Sequence, residues 1–258
     1  MIQEPGAFVR LLAIMDQLRQ EGGCPWDREQ TRHSLKPFLI EEAYEVIEAI
    51  ETGEPDKIKE ELGDLLFQII FHAKISEERG EFSIEDIIKT TAEKMIKRHP
   101  HVFAQKKLQN AQEVLIQWEG IKQAENKRSI LEGVPAQLPS LLRAHRLQDR
   151  AARVGFDWEN TGQVLEKVEE EWREFGAALS EGDQVQMEKE FGDLLFSLVN
   201  LARFVHINPE DALRRTIKEF IRRFQHIEKG LEREGKALNE VSLAEMDTLW
   251  EEAKKEEK

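Results

Sequence analysis

Apolar residues recur three and four positions apart along most of this chain, the spacing that places them on one face of an α-helix. The alternation of apolar and polar residues that is typical of strands is missing throughout the printed sequence. The pattern therefore predicts an all-α fold. The predicted helices cover residues 8–20, 34–50, 56–78, 84–98 and 111–124, and then 141–154, 162–179, 184–204, 209–231 and 242–255.

Both ends of one predicted helix carry clear signals. Ser83 is placed to cap the helix that follows it, with Asp86 standing where a capping box usually has glutamate. At the other end, His99-Pro100 predicts a break, because proline cannot continue the hydrogen-bond ladder. We therefore interpret His99-Pro100-His101 as a helix stop and not as a metal site.

A segment without helical periodicity divides the chain. Gly133, Pro135 and Pro139 all fall between the fifth and sixth predicted helices. A chain of 258 residues suits two domains of roughly 100–150 residues each. We predict an N-terminal domain over 1–127, a linker over 128–140 and a C-terminal domain over 141–258.

An acidic signature occurs twice, at one constant offset of 129 positions (171 minus 42, and 190 minus 61). A fixed register across several residues indicates duplication of a structural unit. The repeated residues are Glu41, Glu42, Glu45, Glu61 and Asp64 in the first half, and Glu170, Glu171, Glu174, Glu190 and Asp193 in the second.

The spacing within each signature predicts a cation site. Residues three apart on a helix share a face, so Glu42 lies beside Glu45, and Glu61 lies beside Asp64. If the two helices pack antiparallel, four carboxylates converge, and their repulsion is costly unless a cation lies among them. Oxygen ligands without His or Cys favour Mg²⁺, with Mn²⁺ as the alternative.

For any single Glu-x-x-Glu pair, such as Glu48 and Glu51, a solvated helix surface is the better explanation. The cation interpretation depends on the in-register pairing with Glu-x-Gly-Asp. Gly63 and Gly192 add to it, because a mid-helix glycine costs roughly 1 kcal/mol relative to alanine. Close helix contact or room beside a metal would offset that cost, and core packing is the competing explanation.

Charge and composition exclude several classes of function. A net charge of −14 argues against sequence-independent nucleic-acid binding, which depends on lysine and arginine. No apolar stretch reaches the roughly 18–20 residues that span a bilayer, and no secretory signal is visible. The single Cys24 fits a reducing cytoplasm. Neither a P-loop nor the Glu-x-x-His of di-iron bundles occurs.

Several ordered motifs resemble the MazG family over essentially the whole chain. Besides the two acidic signatures, they are Gly23-Cys24-Pro25-Trp26-Asp27, Arg98-His99-Pro100-His101-Val102-Phe103 and Arg153-Val154-Gly155-Phe156-Asp157-Trp158. The resemblance implies tandem all-α MazG domains in a homodimer that acts in the cytoplasm. It also implies Mg²⁺-dependent hydrolysis of nucleoside triphosphates, dNTPs included, to the monophosphate and pyrophosphate. Such an activity would serve nucleotide-pool control or house-cleaning.

The resemblance also implies roles for individual residues. The metal ligands would be Glu42, Glu45, Glu61 and Asp64 in the first half, and Glu171, Glu174, Glu190 and Asp193 in the second. The substrate contacts would be Lys57, Lys94, Arg98, Lys167, Arg223 and Trp250.

Two further roles complete the expected mechanism. A glutamate that binds no metal would orient or deprotonate the attacking water, either Glu41 or Glu60 in the first half, with Glu170 as the counterpart in the second. Aromatic side chains would stack on the base or ribose, although helix packing is the commoner role for each of them. The candidates for stacking are Trp26, Trp118, Trp158 and Trp250.

The second half departs from the family pattern where phosphate should bind. Gln186 stands where the first half has Lys57. Glu219 likewise stands where the first half has Lys94, and Lys189 replaces an acid. Fewer cations weaken the binding of a triphosphate even with metals present. We therefore expect the first half to be at least as competent as the second. The competing class of function is a nucleotide sensor or helical scaffold that binds without turnover.

Overall fold

The computed structural model describes residues 6–104 and 129–256, together with positions 110, 113, 114, 117, 120 and 121. The chain separates into two compact units, 1–118 and 119–258. All regular structure in the described residues is helical, without a strand, which confirms the predicted all-α fold. None of the helices in this part of the chain has the length and apolar character needed to cross a membrane.

The first unit carries six helices within its described residues. They are α1 (Ala7–Arg19), α2 (Pro25–Glu29), α3 (Lys36–Thr52), α4 (Pro55–Glu78), α5 (Ile84–Arg98) and α6 (Pro100–Phe103). α3 and α4 form an antiparallel hairpin, since only two residues separate them. α4 also packs against α1 and α5, which makes it the central helix of the unit.

The core of the first unit lies where α1 and the second half of α4 meet. Met15 of α1 packs with Leu35, which immediately precedes α3, and with Ile70, Phe71 and Ile75 of α4. None of these side chains is more than 5% exposed. Full burial of a side chain of this size stabilises the fold by about 1.5–3 kcal/mol. This core fixes α4 and so positions the acidic residues on its first half.

The second unit repeats this arrangement. Its helices are α7 (Ser140–Ala152), α8 (Thr161–Glu181), α9 (Gln184–Phe204), α10 (Pro209–Glu234) and α11 (Leu243–Glu256), with a 3₁₀ turn over Leu238–Glu240. α8 and α9 form the hairpin, α7 packs against α9 and α10, and α11 packs against α10. The buried apolar side chains are Val164, Ala178, Leu194, Val199, Ile227, Leu231 and Ala253.

The offset of 129 positions reappears in the backbone of the two hairpins. α3 ends at Thr52 and α8 at Glu181, and each is followed by a glycine in the left-handed conformation. Gly53 has φ of 73° and Gly182 has φ of 72°, a region that favours glycine because it has no Cβ. α4 and α9 then begin at matching positions, 55 and 184. The duplicated unit therefore includes the turn that sets the hairpin.

An arginine on the first helix of each unit holds a nearby loop. Arg19 of α1 donates to the carbonyl oxygens of Asp27 and Gln30, and pairs with Glu78 at 2.7 Å between Nη2 and Oε2. Arg150 of α7 donates to carbonyl oxygens within residues 130–133, at 3.2 Å for Ile130. The described part of the predicted linker is thus bonded to α7, while the bounds 1–127, 128–140 and 141–258 stay a prediction.

Most predicted helices are confirmed to within one to three residues at each end. The capping box forms as predicted, with Asp86 N–H donating to Ser83 Oγ and Ser83 N–H donating to Asp86 Oδ2 at 2.9 Å. α5 ends at Arg98, immediately before the predicted stop. The short helices α2 and α6 were missed, although each begins with a proline, a common first helical residue. The helix predicted over 111–124 lies largely outside the described residues.

Candidate active site

The first acidic cluster lies between α3 and α4. Glu42 and Glu45 from α3 and Glu61 from α4 each offer a carboxylate oxygen, and these oxygens lie within 4.8 Å of one another. Asp64, one turn further along α4, is exposed and stands outside this close group. Its negative charge nevertheless acts on Glu42 and Glu61. The hairpin therefore brings together three of the four carboxylates that were predicted to converge.

The carboxylates of the first cluster repel one another. Partial burial raises the pKa of Glu42, and the charges of Asp64 and Glu45 raise it further. The side chain of Gln68 donates a hydrogen bond to Glu42 and opposes that shift. Burial and Glu45 likewise raise the pKa of Glu61. Lys57, half-buried one turn earlier on α4, lowers the pKa of Glu61, but by less than Glu45 or Glu60 raises it.

The second acidic cluster lies between α8 and α9, at the matching positions. Glu171, Glu174 and Glu190 bring carboxylate oxygens within 4.8 Å of one another. Glu171 is only 6% exposed and Glu190 only 3%. The Oε2 atom of each is buried, and the described residues give it no hydrogen-bond partner. Leaving a buried carboxylate oxygen unpartnered is costly. A hard divalent cation would remove that cost, because such cations prefer oxygen ligands, so both Oε2 atoms are suited to be metal ligands.

Lys167 neutralises part of this second cluster. Its Nζ lies 2.7 Å from Oε1 of Glu170 and 2.6 Å from Oε1 of Glu171. Hydrogen bonds to these two carboxylates hold the pKa of the Lys167 ammonium group above its usual range. The predicted substrate contact Lys167 is thus brought into the acidic cluster, where it is paired with Glu170, the predicted proton acceptor.

Lys189 neutralises the opposite side of the second cluster. Its Nζ lies 2.8 Å from Oε1 of Glu190 and 3.5 Å from Oδ2 of Asp193. Gln186 donates to the same oxygen of Glu190. The hydrogen bond from Lys189 lowers the pKa of Glu190, whereas burial and the charge of Glu171 raise the pKa of Glu174. Asp193 is exposed and lies outside the close group, as Asp64 does in the first unit.

A cavity of about 660 Å³ adjoins the second cluster. Three charged side chains of the cluster region line one part of it, namely Lys167, Glu171 and Asp193. The rest of the wall is largely apolar and includes Leu131, Leu147, Ala151, Phe156, Trp158 and Phe196. Small-molecule sites typically combine an apolar wall with a few polar groups in a volume of about 300–1,000 Å³. The predicted stacking residue Trp158 is therefore placed where an aromatic ligand would contact it.

Two side-chain contacts shape this cavity. Gln148 of α7 donates from Nε2 to the carbonyl oxygen of Phe196 at 2.8 Å, which joins α7 to α9. Arg203 of α9 forms a two-pronged ion pair with Asp157, with 3.0 Å between Nη1 and Oδ2. The pair fixes the loop that carries Trp158. The sequence offered no signal for the cavity as a whole, because its walls come from at least four separate segments that only tertiary packing brings together.

The other predicted site residues occupy varied positions. Glu41, Glu60 and Lys94 are exposed, and Arg98 is half-buried near the end of α5. Trp26 packs edge-on against Phe38, with ring centroids 5.7 Å apart, and remains half exposed. Trp118 lies outside the described residues.

Arg223 and Trp250 are brought together on α10 and α11. The Arg223 guanidinium lies 5.4 Å from the Trp250 ring centroid and also pairs with Glu219 at 3.3 Å. Phe220 packs against the same indole, with centroids 5.4 Å apart. Glu219 was expected to weaken phosphate binding. It also pairs with Arg223, which is itself a predicted substrate contact.

Gly63 and Gly192 are not explained by close helix contact. A Cβ added at either position would meet no heavy atom of the described residues within 4 Å, apart from the local helix backbone. Core packing fails for the same reason. Room beside a ligand site is the remaining explanation from the sequence, since each glycine directly precedes the fourth acid of its cluster.

Comparison with known proteins gives the same assignment for both halves. The MazG nucleotide pyrophosphohydrolase domain matches residues 30–103 and again residues 160–228. These regions hold the two acidic clusters and the hairpins that carry them. The match therefore confirms the tandem arrangement that the repeated signature predicted.

Full-length relatives are similar along nearly the whole chain. A Thermotoga maritima protein named nucleoside triphosphate pyrophosphohydrolase/pyrophosphatase MazG is 47% identical over 96% of this chain and 95% of its own. An Escherichia coli K12 protein named nucleoside triphosphate pyrophosphohydrolase is 43% identical over 96% and 97%. A Bacillus subtilis protein named uncharacterized protein YabN is 48% identical over 97% of this chain and 52% of its own. The chain belongs to the MazG nucleotide pyrophosphohydrolase family.

Proposed function

We propose that this protein hydrolyses nucleoside triphosphates, including deoxynucleotides, to the monophosphate and pyrophosphate, and that it requires Mg²⁺ or Mn²⁺. The observation that carries the proposal is the pair of carboxylate clusters, Glu42–Glu45–Glu61 and Glu171–Glu174–Glu190, at matching positions of a duplicated family hairpin. Names of relatives at 43–47% identity support the class of reaction. The carboxylate-only ligand sets support the choice of metal.

The carboxylates of each cluster would hold the cation in this proposal, and Asp64 and Asp193 would be the fourth ligands of the two sets. When bound, Mg²⁺ neutralises phosphate charge and lowers the pKa of nearby water. In the second half, the apolar cavity wall with Trp158 binds the base and ribose, and Lys167 at the charged end contacts the phosphates. Lys57, Lys94 and Arg98 provide the corresponding positive charge in the first half.

The reaction cuts the bond between the α-phosphorus and the oxygen that bridges to the β-phosphate. The oxygen of water forms the new bond to phosphorus, pyrophosphate leaves, and the proton of the water passes to a carboxylate. Glu41 or Glu60 accepts it in the first half, where both side chains are exposed beside the cluster. In the second half Glu170 is the candidate acceptor, and its Oε1 also pairs with Lys167.

A homodimer is part of the proposal and is supported by exposed apolar side chains on both hairpins. Leu62, Leu66 and Ile69 of α4 are 37–49% exposed. Residues 129 positions later on α9, namely Phe191, Leu195 and Leu198, are 39–48% exposed. Broad apolar faces of this kind on helical units are usually covered by another helix.

The cellular role is proposed from chemistry and family together. Control of nucleotide pools, or removal of aberrant nucleotides, requires contact with free nucleotides in the cytoplasm, and the single Cys24 fits that reducing compartment. The net charge of −14 opposes binding to nucleic acids, whose phosphates would meet an acidic surface without many metal ions.

The products formed from a panel of NTPs and dNTPs with Mg²⁺ test the proposal. Release of pyrophosphate and monophosphate supports it, and release of orthophosphate together with the nucleoside diphosphate contradicts the assigned bond. The sensor alternative gains support from Lys167 and Lys189, which already neutralise the second cluster. It predicts no hydrolysis but a higher melting temperature with nucleotide and metal.

A further inference from the structure

We propose that Lys189 is a built-in counter-ion of the second acidic cluster and competes there with a divalent cation, so that the first cluster binds metal at lower concentration. The inference rests on the metal-binding part of the proposed function. It concerns the affinity of each cluster for metal in the absence of nucleotide, and it assigns a role to a residue outside the expected ligand set.

The contacts of Lys189 place its charge where a cation would act. Its ammonium group bridges Glu190 at 2.8 Å and Asp193 at 3.5 Å, a proposed ligand inside the close group and one outside it. The Lys189 side chain is 62% exposed, whereas that of Glu190 is 3% exposed. An exposed lysine can swing into water at little cost, while the buried carboxylate needs a positive partner. A metal ion can therefore displace Lys189 without a steric clash, but the attraction between Lys189 and the two carboxylates opposes that displacement.

The first cluster has the opposite charge at the matching position. Glu60 stands 129 positions before Lys189 and adds negative charge beside Glu61. Lys57 is the cation that acts on Glu61 there, and its effect is smaller than that of Glu45 or Glu60. The first cluster thus presents unneutralised carboxylates to an incoming cation, which makes metal binding relieve repulsion instead of breaking an ion pair.

Lys167 also makes the second cluster less negative than the first. It is nevertheless a poor choice for testing the effect of that charge on metal affinity. It pairs with Glu171, and residue 38, which matches it in the first unit, is phenylalanine. Because Lys167 also lines the proposed nucleotide cavity, its replacement would change metal and nucleotide binding together. Lys189 is absent from that lining and separates the two effects.

Titration of the full-length protein with Mn²⁺ alone, followed by the electron paramagnetic resonance signal of free Mn²⁺, tests the proposal without turnover. We expect a tight and a weak class of site. Glu42→Gln should remove the tight class and Glu171→Gln the weak class. Lys189→Gln should tighten the weak class about tenfold, the lower end of what residues around metal ligands contribute. The reciprocal change, Glu60→Lys, should weaken the tight class by a similar factor.

Lys59→Gln is the matched control, because the described residues pair Lys59 with Asp56 alone, at 2.6 Å, at the exposed start of α4. It should leave both classes unchanged. Two classes in the wild type with no change in Lys189→Gln and Glu60→Lys would overturn the inference and leave the proposed function intact. A wild type that binds no Mn²⁺ would contradict the metal requirement itself. A circular dichroism spectrum that matches the wild type shows for each variant that the fold is retained.

Discussion

The two acidic clusters occupy the same place on the same kind of hairpin, yet they differ in charge. In the first, burial raises the pKa values of Glu42 and Glu61, and the neighbouring carboxylates raise them further. In the second, Lys189 lowers the pKa of Glu190, and Lys167 pairs with Glu171. Duplication preserved the residues that point at one another across the hairpin. Residues beside the acids on the same helices were free to change, and they set how strongly each cluster attracts a cation.

Removing one carboxylate from each cluster should give the largest effect. Glu42→Gln is expected to remove at least half of the pyrophosphate release, and Glu171→Gln most of the remainder. The double variant should fall about 100-fold or more, since even outer residues of metal sites contribute 10–100-fold. The activity left in Glu171→Gln should also saturate at lower Mg²⁺ than that left in Glu42→Gln, because lysines bridge the second cluster and no lysine among the described residues bridges the first.

Glu48→Gln on α3 and Glu166→Gln on α8 are suitable controls, because both side chains are exposed on the same helices. Both should retain full turnover. Undiminished activity in Glu42→Gln would refute the expectation that the first half is at least as competent as the second.

The arginines that hold the loops should contribute unequally to stability. Arg19 is 7% exposed, pairs with Glu78, donates to two carbonyl oxygens and lies over the Phe71 ring. Arg19→Gln should therefore lower the free energy of unfolding of the first unit by about 2–3 kcal/mol. Arg150→Gln, which loses carbonyl contacts alone, should cost the second unit about 1 kcal/mol.

Urea unfolding followed by circular dichroism measures this difference. Arg79→Gln serves as the control, since its pair with Glu81 is largely exposed and contributes little. Equal losses from Arg19→Gln and Arg150→Gln would show that the Glu78 pair adds no stability.

The smallest expected effect is on thermal stability. In the metal-free protein, Glu42→Gln and Glu190→Gln should shift the melting temperature in opposite directions. The pKa of Glu42 is raised, so its contribution to stability is full below the ordinary glutamate pKa and is lost as pH rises through the folded value. The pKa of Glu190 is lowered, so its contribution is present above the ordinary value and is lost as pH falls through the folded value. At neutral pH, Glu42→Gln should raise the melting temperature by a few degrees, and Glu190→Gln should lower it.

Melting curves with a chelator, recorded at about pH 7 and about pH 4.5, check both signs. The stabilisation by Glu42→Gln should shrink at the lower pH, because the raised pKa of Glu42 favours its protonated form there. A shift of the same sign in the two variants would mean that the lysines do not distinguish the clusters.

The sequence predicted the hairpins and their converging carboxylates well, because both follow from local periodicity and a fixed offset. α9 was predicted at its observed bounds, and Glu42, Glu45 and Glu61 meet as expected. The ion pairs of Lys167 and Lys189 were not predicted, although each lysine is three or four residues from a partner. Spacing permits such pairs, but burial of the partner decides whether they matter.

The cavity was beyond prediction for a different reason. Its wall combines Leu131 from the segment interpreted as a linker, Gln148 from α7 and Trp158 from the loop before α8. Trp158 was a candidate for stacking, but nothing in the sequence connected it with Leu131 or Gln148. Only packing of α7 on α9, fixed in part by the Gln148 hydrogen bond to Phe196, turns them into one surface.

The space beside Gly63 on α4, and that beside Gly192 on α9, decides how closely another molecule can approach each helix. Without a methyl group, the main chain of α4 and α9 is bare beside the acids, and the hairpin leaves that space clear. The lone chain forgoes about 1 kcal/mol of helical preference at each position. An incoming phosphate or a second subunit can therefore come within van der Waals contact of the helix backbone there, a proximity that any other side chain would forbid.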